Sequence, residues 1–171
     1  KTYHLTPDKI EKRLQTERWT TRQYYFCILA LDVFRKYEAS LRQSNKIDFQ
    51  DMINLAVKTL HENENFYNDK YTHILVDEYQ DISTQRYELI KALMKKSKNC
   101  KLFCVGDDWQ SIMGFSGSNL DLFTNFGNYF DHPAITLLET NYRCCKSIAD
   151  LGEEIIKKNE NIQIQKSIEA H

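Results

Sequence analysis

The run Ile74-Leu75-Val76-Asp77-Glu78, followed one strand-helix-strand distance later by Lys101–Val105 and Gly106-Asp107-Asp108, constrains this chain more than any other feature. A short apolar, β-prone run that ends in adjacent acids is how a buried parallel strand delivers carboxylates to the edge of a sheet. The second run ends in Gly-Asp, so two acidic strand ends would share one crevice. Between them Ser83 is placed to cap a helix running to about Ser97. That makes a β-α-β unit, with parallel strands and a right-handed crossover, and predicts an α/β fold. Either run alone is equally well explained by a buried strand followed by solvated acids. The ordered pair carries the argument.

Upstream the pattern is helical. Thr6-Pro7-Asp8 reads as a helix start, with Ile10 and Leu14 as its apolar stripe. A longer helix is predicted from about Thr21 to Ser44, burying Phe26, Ala30, Val33, Tyr37 and Leu41 at steps of three and four. Asp48 then caps a third, with Phe49, Met52, Ile53, Ala56 and Leu60 inward. Downstream, Gly114, Ser116 and Gly117 mark a loop, and a short helix follows through Phe126. Ala134–Glu139 reads as a third strand, Ser147 to Lys158 as a last helix, and the polar tail as frayed.

At 171 residues the chain can hold one good core, and its 42% hydrophobic and 27% charged content is that of an ordinary folded domain. No apolar run approaches the roughly 18 to 20 residues of a membrane helix. Five cysteines at no metal-like spacing predict a reduced, cytoplasmic setting without zinc. The start at Lys1 without Met suggests an excised or processed segment. Residues 1–50 hold ten Lys/Arg against six Asp/Glu, whereas residues 51–171 hold thirteen against eighteen. A polyanion partner for the N-terminal part and a solvated helix surface explain that excess about equally.

Asp77 and Glu78 are the first chemical candidates. Mg²⁺ keeps several waters and takes one or two carboxylates beside substrate phosphates, which suits Asp77, while Glu78 can orient or deprotonate a water. Gln110 carries an amide that can both donate to a phosphate oxygen and accept from water; a plain loop hydrogen bond is its alternative. Trp109, Phe115, Tyr142 and Arg143 fall in loops or at strand ends. Flat rings there can stack on bases, and an Arg fork suits phosphate, with domain packing the competing explanation for the aromatics.

Val76-Asp77-Glu78-Tyr79-Gln80-Asp81 resembles motif II of the UvrD/Rep/PcrA branch of superfamily 1 helicases. Val105 to Ser118 is similar to motif III, and Leu138-Glu139-Thr140-Asn141-Tyr142-Arg143 resembles motif IV. Asp48-Phe49-Gln50-Asp51 fits the helix that precedes motif II in that family. The Asp-Asp-Trp-Gln and Phe-Ser-Gly wording within motif III is most like the DNA helicase IV subgroup.

The resemblance implies a partial RecA-like P-loop NTPase domain with parallel strands and a crossover helix, preceded by a helical subdomain. Residues 1–47 would be the helical 1B-like part, 48–130 part of domain 1A, and 131–171 the start of 2A. It implies ATP and Mg²⁺ as cofactors, with Asp77 and Glu78 at the metal, and Glu78, Gln110 and Arg143 catalytic. Tyr142 would stack on adenine, and Arg143 would meet the γ-phosphate. Phe115, Trp109 and Met113 would face DNA; at Met113 and Ser116 many relatives carry Tyr and Arg. The implied activity is 3′→5′ helicase action on single-stranded and duplex DNA. No Gly-x-x-x-x-Gly-Lys-Ser/Thr occurs, nor the later motifs V and VI, so the isolated chain is expected to be inactive. An incomplete sheet is expected to leave an edge open to self-association. The competing expectation is a non-catalytic nucleic-acid-binding or protein-interaction module of helicase shape.

Overall fold

A computed structural model describes residues 7–63, 67–159, 164, 166 and 168–170. The chain divides into two compact units, one of Lys1–Thr72 with Thr84–Lys101, the other of His73–Ser83 with Leu102–His171.

The first unit is helical. Helix α1 spans Pro7–Thr16; Thr6, expected to cap it, lies outside the described residues. Helix α2 spans Thr21–Gln43 and starts at a capping box, in which Thr20 accepts from the Gln23 N–H and the Gln23 side chain accepts from the Thr20 N–H. Helix α3, Phe49–Glu62, repeats the device with Asp48 and Asp51. Such caps satisfy backbone donors that a helix start leaves orphaned and contribute about 1 kcal/mol each. Arg35 pairs with Glu11 at 2.5 Å, tying α2 to α1, and Tyr37 Oη donates to Asp48 Oδ2 at 3.0 Å. Helix α4, Thr84–Lys95, packs on α3, and Leu31, Leu60, Ile90 and Ala92 are the buried apolar residues here.

The apolar stripe expected to be buried on α2 is not. Phe26 is 70% exposed, and with Leu29, Ala30, Val33, Phe34 and Tyr37 it lines an open groove. Phe49 and Met52 on α3 are exposed too, while Leu60 is buried as expected. The periodicity marks a face correctly, but burial needs a second element, and among the described residues of this unit none covers it.

The second unit holds strands β1, His73–Val76, and β2, whose span Lys101–Cys104 begins at the unit boundary. Lys101 N–H donates to Thr72 O and Val105 N–H to Val76 O, each at 2.9 Å, so both strands advance together and the pair is parallel. This small parallel sheet is mixed with helices as expected of an α/β chain. The strands are not buried on both faces, however. Leu75, Phe103 and Val105 are exposed while Ile74, Val76, Leu102 and Cys104 are half-buried, because only one face of the two-stranded sheet is covered. Burial pushes the Cys104 thiol up to about 12.

Helix α5, Asp121–Thr124, lies after the loop, and Tyr79, Ile82, Leu122 and Phe130 form the core, with the Tyr79 ring against Phe123 and Phe126. Ala134–Glu139 is not a strand. Among the described residues Thr140–Asn141 (β3) pairs, in parallel, with Glu169–Ala170 (β4); of the preceding run only Glu139 reaches that neighbour, through its carbonyl, and Leu138 is 83% exposed. Helix α6 spans Lys146–Ile156, close to the expected bounds. The described tail residues are anchored rather than frayed: Glu169 N–H donates to Glu139 O at 2.8 Å. No described helix is long and apolar enough to cross a membrane.

Candidate functional site

The ladder between β1 and β2 continues past the strands, with Tyr79 N–H donating to Val105 O at 2.9 Å. Asp77 Oδ1 accepts from the Glu78 N–H at 2.9 Å, and Glu78 itself adopts a left-handed conformation, φ 50° and ψ 43°. That conformation is uncommon for a residue with a Cβ and clusters at functional turns. It breaks the strand and starts a tight turn, Tyr79–Asp81, that buries Tyr79 and Gln80. Both carboxylates remain exposed at the strand end.

Gln80 is only 2% exposed and joins the two strand ends. Its Nε2 donates to Glu78 Oε2 at 2.7 Å, and its Oε1 accepts from the Asp107 N–H at 3.0 Å. The fit leaves room only for glycine beside it: a Cβ at Gly106 would stand 2.7 Å from Gln80 Oε1 and 2.9 Å from the Phe123 ring. The glycine of Val105-Gly106-Asp107 is therefore explained by close approach rather than by a special φ.

Asp107 opens the next turn, Asp108–Gln110, accepting at Oδ1 from the Trp109 N–H at 3.2 Å and at Oδ2 from Gln110 Nε2 at 2.7 Å. Lys166 Nζ donates to Asp107 Oδ1 at 2.5 Å and to Asp108 Oδ1 at 2.7 Å, and lies 4.8 Å from the centre of the Trp109 ring. Ile164 N–H donates to Asp108 Oδ2 at 2.7 Å, which pairs both oxygens of this buried acid. Burial pushes the Asp107 carboxyl up, but the hydrogen bonds from Lys166 and Gln110, the Lys166 charge and the Trp109 N–H outweigh it. The group lies below the usual carboxylate range.

The remaining candidates lie in the same unit but outside this chain of bonds. Phe115 is 86% exposed in the turn Met113–Ser116, which ends at Gly117 with φ 94°; Trp109 and Met113 are half-buried. Tyr142 is 77% exposed. Asn141 Oδ1 accepts from the Arg143 and Cys144 N–H groups at 2.8 and 3.0 Å, bending the chain out of β3. The Arg143 side chain makes no hydrogen bond or ion pair to Glu78 or Gln110 among the described residues.

Two residues of this network carry no obvious mark in the sequence. Gln80 has a faint one, an amide two positions beyond an acid pair. Lys166 has none, being 59 positions from Asp107 in a polar tail.

Chemically, the arrangement presents an exposed carboxylate held by a buried neutral amide, next to a second exposed carboxylate. The first can accept a proton from water, and the pair fits Mg²⁺, which needs only one or two carboxylates besides water and phosphate. No cluster of three or more His, Cys, Asp or Glu suited to a metal occurs among the described residues.

The family described as UvrD/REP helicase N-terminal domain matches residues 1–131. The chain is similar to DNA helicase IV of Escherichia coli K12, 34% identical over 142 residues, which cover 83% of this chain and 20% of that protein. It is also similar to the ATP-dependent DNA helicase PcrA of Bacillus subtilis, 34% identical over 140 residues covering 80% and 19%. The PcrA of Leuconostoc citreum is 33% identical over 131 residues covering 75% and 17%. The chain thus spans about a fifth of the length of these relatives.

Proposed function

Because this chain belongs to the UvrD/REP helicase N-terminal domain family, we propose that it is part of an ATP-dependent DNA helicase and carries that enzyme's hydrolytic acid and phosphate-sensing amide. The observation that carries the reading is the Gln80 bridge, which bonds the Glu78 carboxylate to the turn bearing Gln110. An enzyme that couples hydrolysis to movement on DNA needs its water-activating acid and its nucleotide sensor linked, and here they share one run of hydrogen bonds.

In this reading Asp77 holds Mg²⁺, which when bound shields phosphate charge. Glu78, oriented by Gln80, takes the proton from the attacking water. Gln110, held by Asp107, senses the γ-phosphate and relays its presence to the exposed ring of Phe115 and to Trp109 and Met113, the surface facing single-stranded DNA. Tyr142 stacks on adenine, and Arg143 contacts the γ-phosphate. The fold is part of a RecA-like domain, with residues 1–47 as 1B, 48–130 as 1A and 131–171 as the start of 2A. The full-length cytoplasmic enzyme moves 3′→5′ and opens duplex DNA. This 171-residue chain, with no Walker-type loop in its sequence, is a poor ATPase by itself and self-associates through its open sheet.

The test is Glu78→Gln in the full-length protein. Single-stranded-DNA-stimulated ATP turnover should fall at least about 100-fold, the usual worth of a positioned general base, while DNA binding persists. Turnover within a few-fold of the unaltered protein would sink the assignment. Salt-dependent DNA binding with no turnover in either form would favour the non-catalytic module instead.

A further inference from the structure

We propose that Lys166 is a positioning residue for Gln110, and that Ile164, Lys166 and Glu169 together tie the Asp107 turn to β3, the strand that precedes Tyr142 and Arg143. The proposal rests on the nucleotide-driven reading of the site given above.

Lys166 is nearly enclosed, its side chain 12% exposed, and an ammonium so placed must be paired. Its partners are the carboxylates of consecutive residues, Asp107 at 2.5 Å and Asp108 at 2.7 Å, the latter side chain 1% exposed. Without a cation between them, two adjacent carboxylates in this setting would repel each other and be left without that partner. Asp107 is also the acceptor for Gln110. Its Oδ1 takes Lys166 and its Oδ2 takes Gln110 Nε2 at 2.7 Å, so the ammonium fixes one side of the carboxylate that holds the amide on the other.

The same segment reaches the second candidate cluster. Ile164 N–H is bonded to Asp108, and a few residues on Glu169–Ala170 pairs with Thr140–Asn141, the strand that leads directly into Tyr142 and Arg143. Ile164 and Lys166 therefore touch the Gln110 turn, and Glu169 and Ala170 touch β3 just before Tyr142 and Arg143. A displacement of that strand would pull on Lys166 and be felt at Gln110 through a single carboxylate. Lys166 touches neither water nor phosphate in this scheme; it acts through Asp107.

The experiment measures kcat and KM for DNA-stimulated ATP hydrolysis by the full-length protein in four variants: Lys166→Met, Lys166→Arg, Gln110→Ala and the Lys166→Met/Gln110→Ala double. Misplacing a reacting-site group by about an ångström costs roughly 10- to 100-fold, so kcat of Lys166→Met should fall by that range with KM for ATP within about two-fold. Lys166→Arg, which keeps the charge and can fork between two carboxylates, should recover most of the loss. The double variant should be no slower than Gln110→Ala alone, since both changes disable one device. Should Lys166→Met not fold, Lys166→Gln, which keeps length and a donor but no charge, carries the same expectations.

Losses that multiply in the double variant, or a KM that rises with kcat unchanged, overturn the proposal and leave Lys166 a structural tie. Turnover unchanged in Lys166→Met while present in the unaltered protein overturns this proposal alone. Turnover absent from the unaltered protein overturns the proposed function together with it.

Discussion

On helix α2 large apolar side chains, among them Phe26, Leu29 and Val33, stand open to solvent, whereas at the ends of β1 and β2 the polar side chains of Gln80 and Asp108 are buried. The usual sorting of residue types is inverted in both places, for opposite reasons. The apolar groove on α2 has nothing on it among the described residues. The buried polar groups are retained because their hydrogen bonds are made: Gln80 joins two strands with two bonds, and both oxygens of Asp108 are taken. Satisfied buried networks hold one geometry, since any shift strands a desolvated group. An uncovered apolar stripe specifies only that some partner would fit. The difference separates a region fixed by its own bonds from one whose apolar face is uncovered among the described residues.

Replacing Gln80 is the sharpest way to break that contrast. Gln80→Leu fills similar volume but leaves the Asp107 N–H and a Glu78 oxygen without their bonds, an expected loss of about 2–4 kcal/mol. Urea unfolding reads it directly. A loss under about 1 kcal/mol would mean the bridge is incidental and water replaces it freely.

Gly106→Ala probes the same place through packing alone. The added methyl would sit 2.7 Å from Gln80 Oε1 and 3.1 Å from the Gln80 N, and backbone cannot give way cheaply. Overpacking of this kind costs about 1–3 kcal/mol. The effect should shrink in a Gln80→Ala background, because the closest atom is then gone; an unchanged cost there would assign the tightness to Phe123 instead.

How much of this was readable in advance divides along the same line. β1 and β2 are recoverable because a short apolar run ending in acids is local information, and both strands lie within a residue of their expected bounds. The start of α2 is recoverable because Thr20 and Gln23 close a capping box only three positions apart. Local signals fail where a partner decides. Ile135, Leu137 and Leu138 look like strand residues but remain exposed without a described neighbouring backbone, and the stripe on α2 gives direction without cover. Of the site, Asp77, Glu78 and Gln110 are legible from type and spacing. Lys166 is not, because its meaning lies in a contact across 59 positions that no window reveals.

The smallest expected effect falls on the other side of the comparison. Phe26→Ser removes an aromatic ring that is 70% exposed, so the transfer free energy lost on unfolding is slight. Stability should stay within about 0.5 kcal/mol of the unaltered chain, as for most exposed positions. Any association through the exposed α2 face, beyond that proposed for the open sheet, should be lost, and sedimentation of both forms at equal concentration measures that. A destabilisation near that of Gln80→Leu would show that the groove is already covered in the folded chain. The two regions would then differ only in polarity and not in completeness.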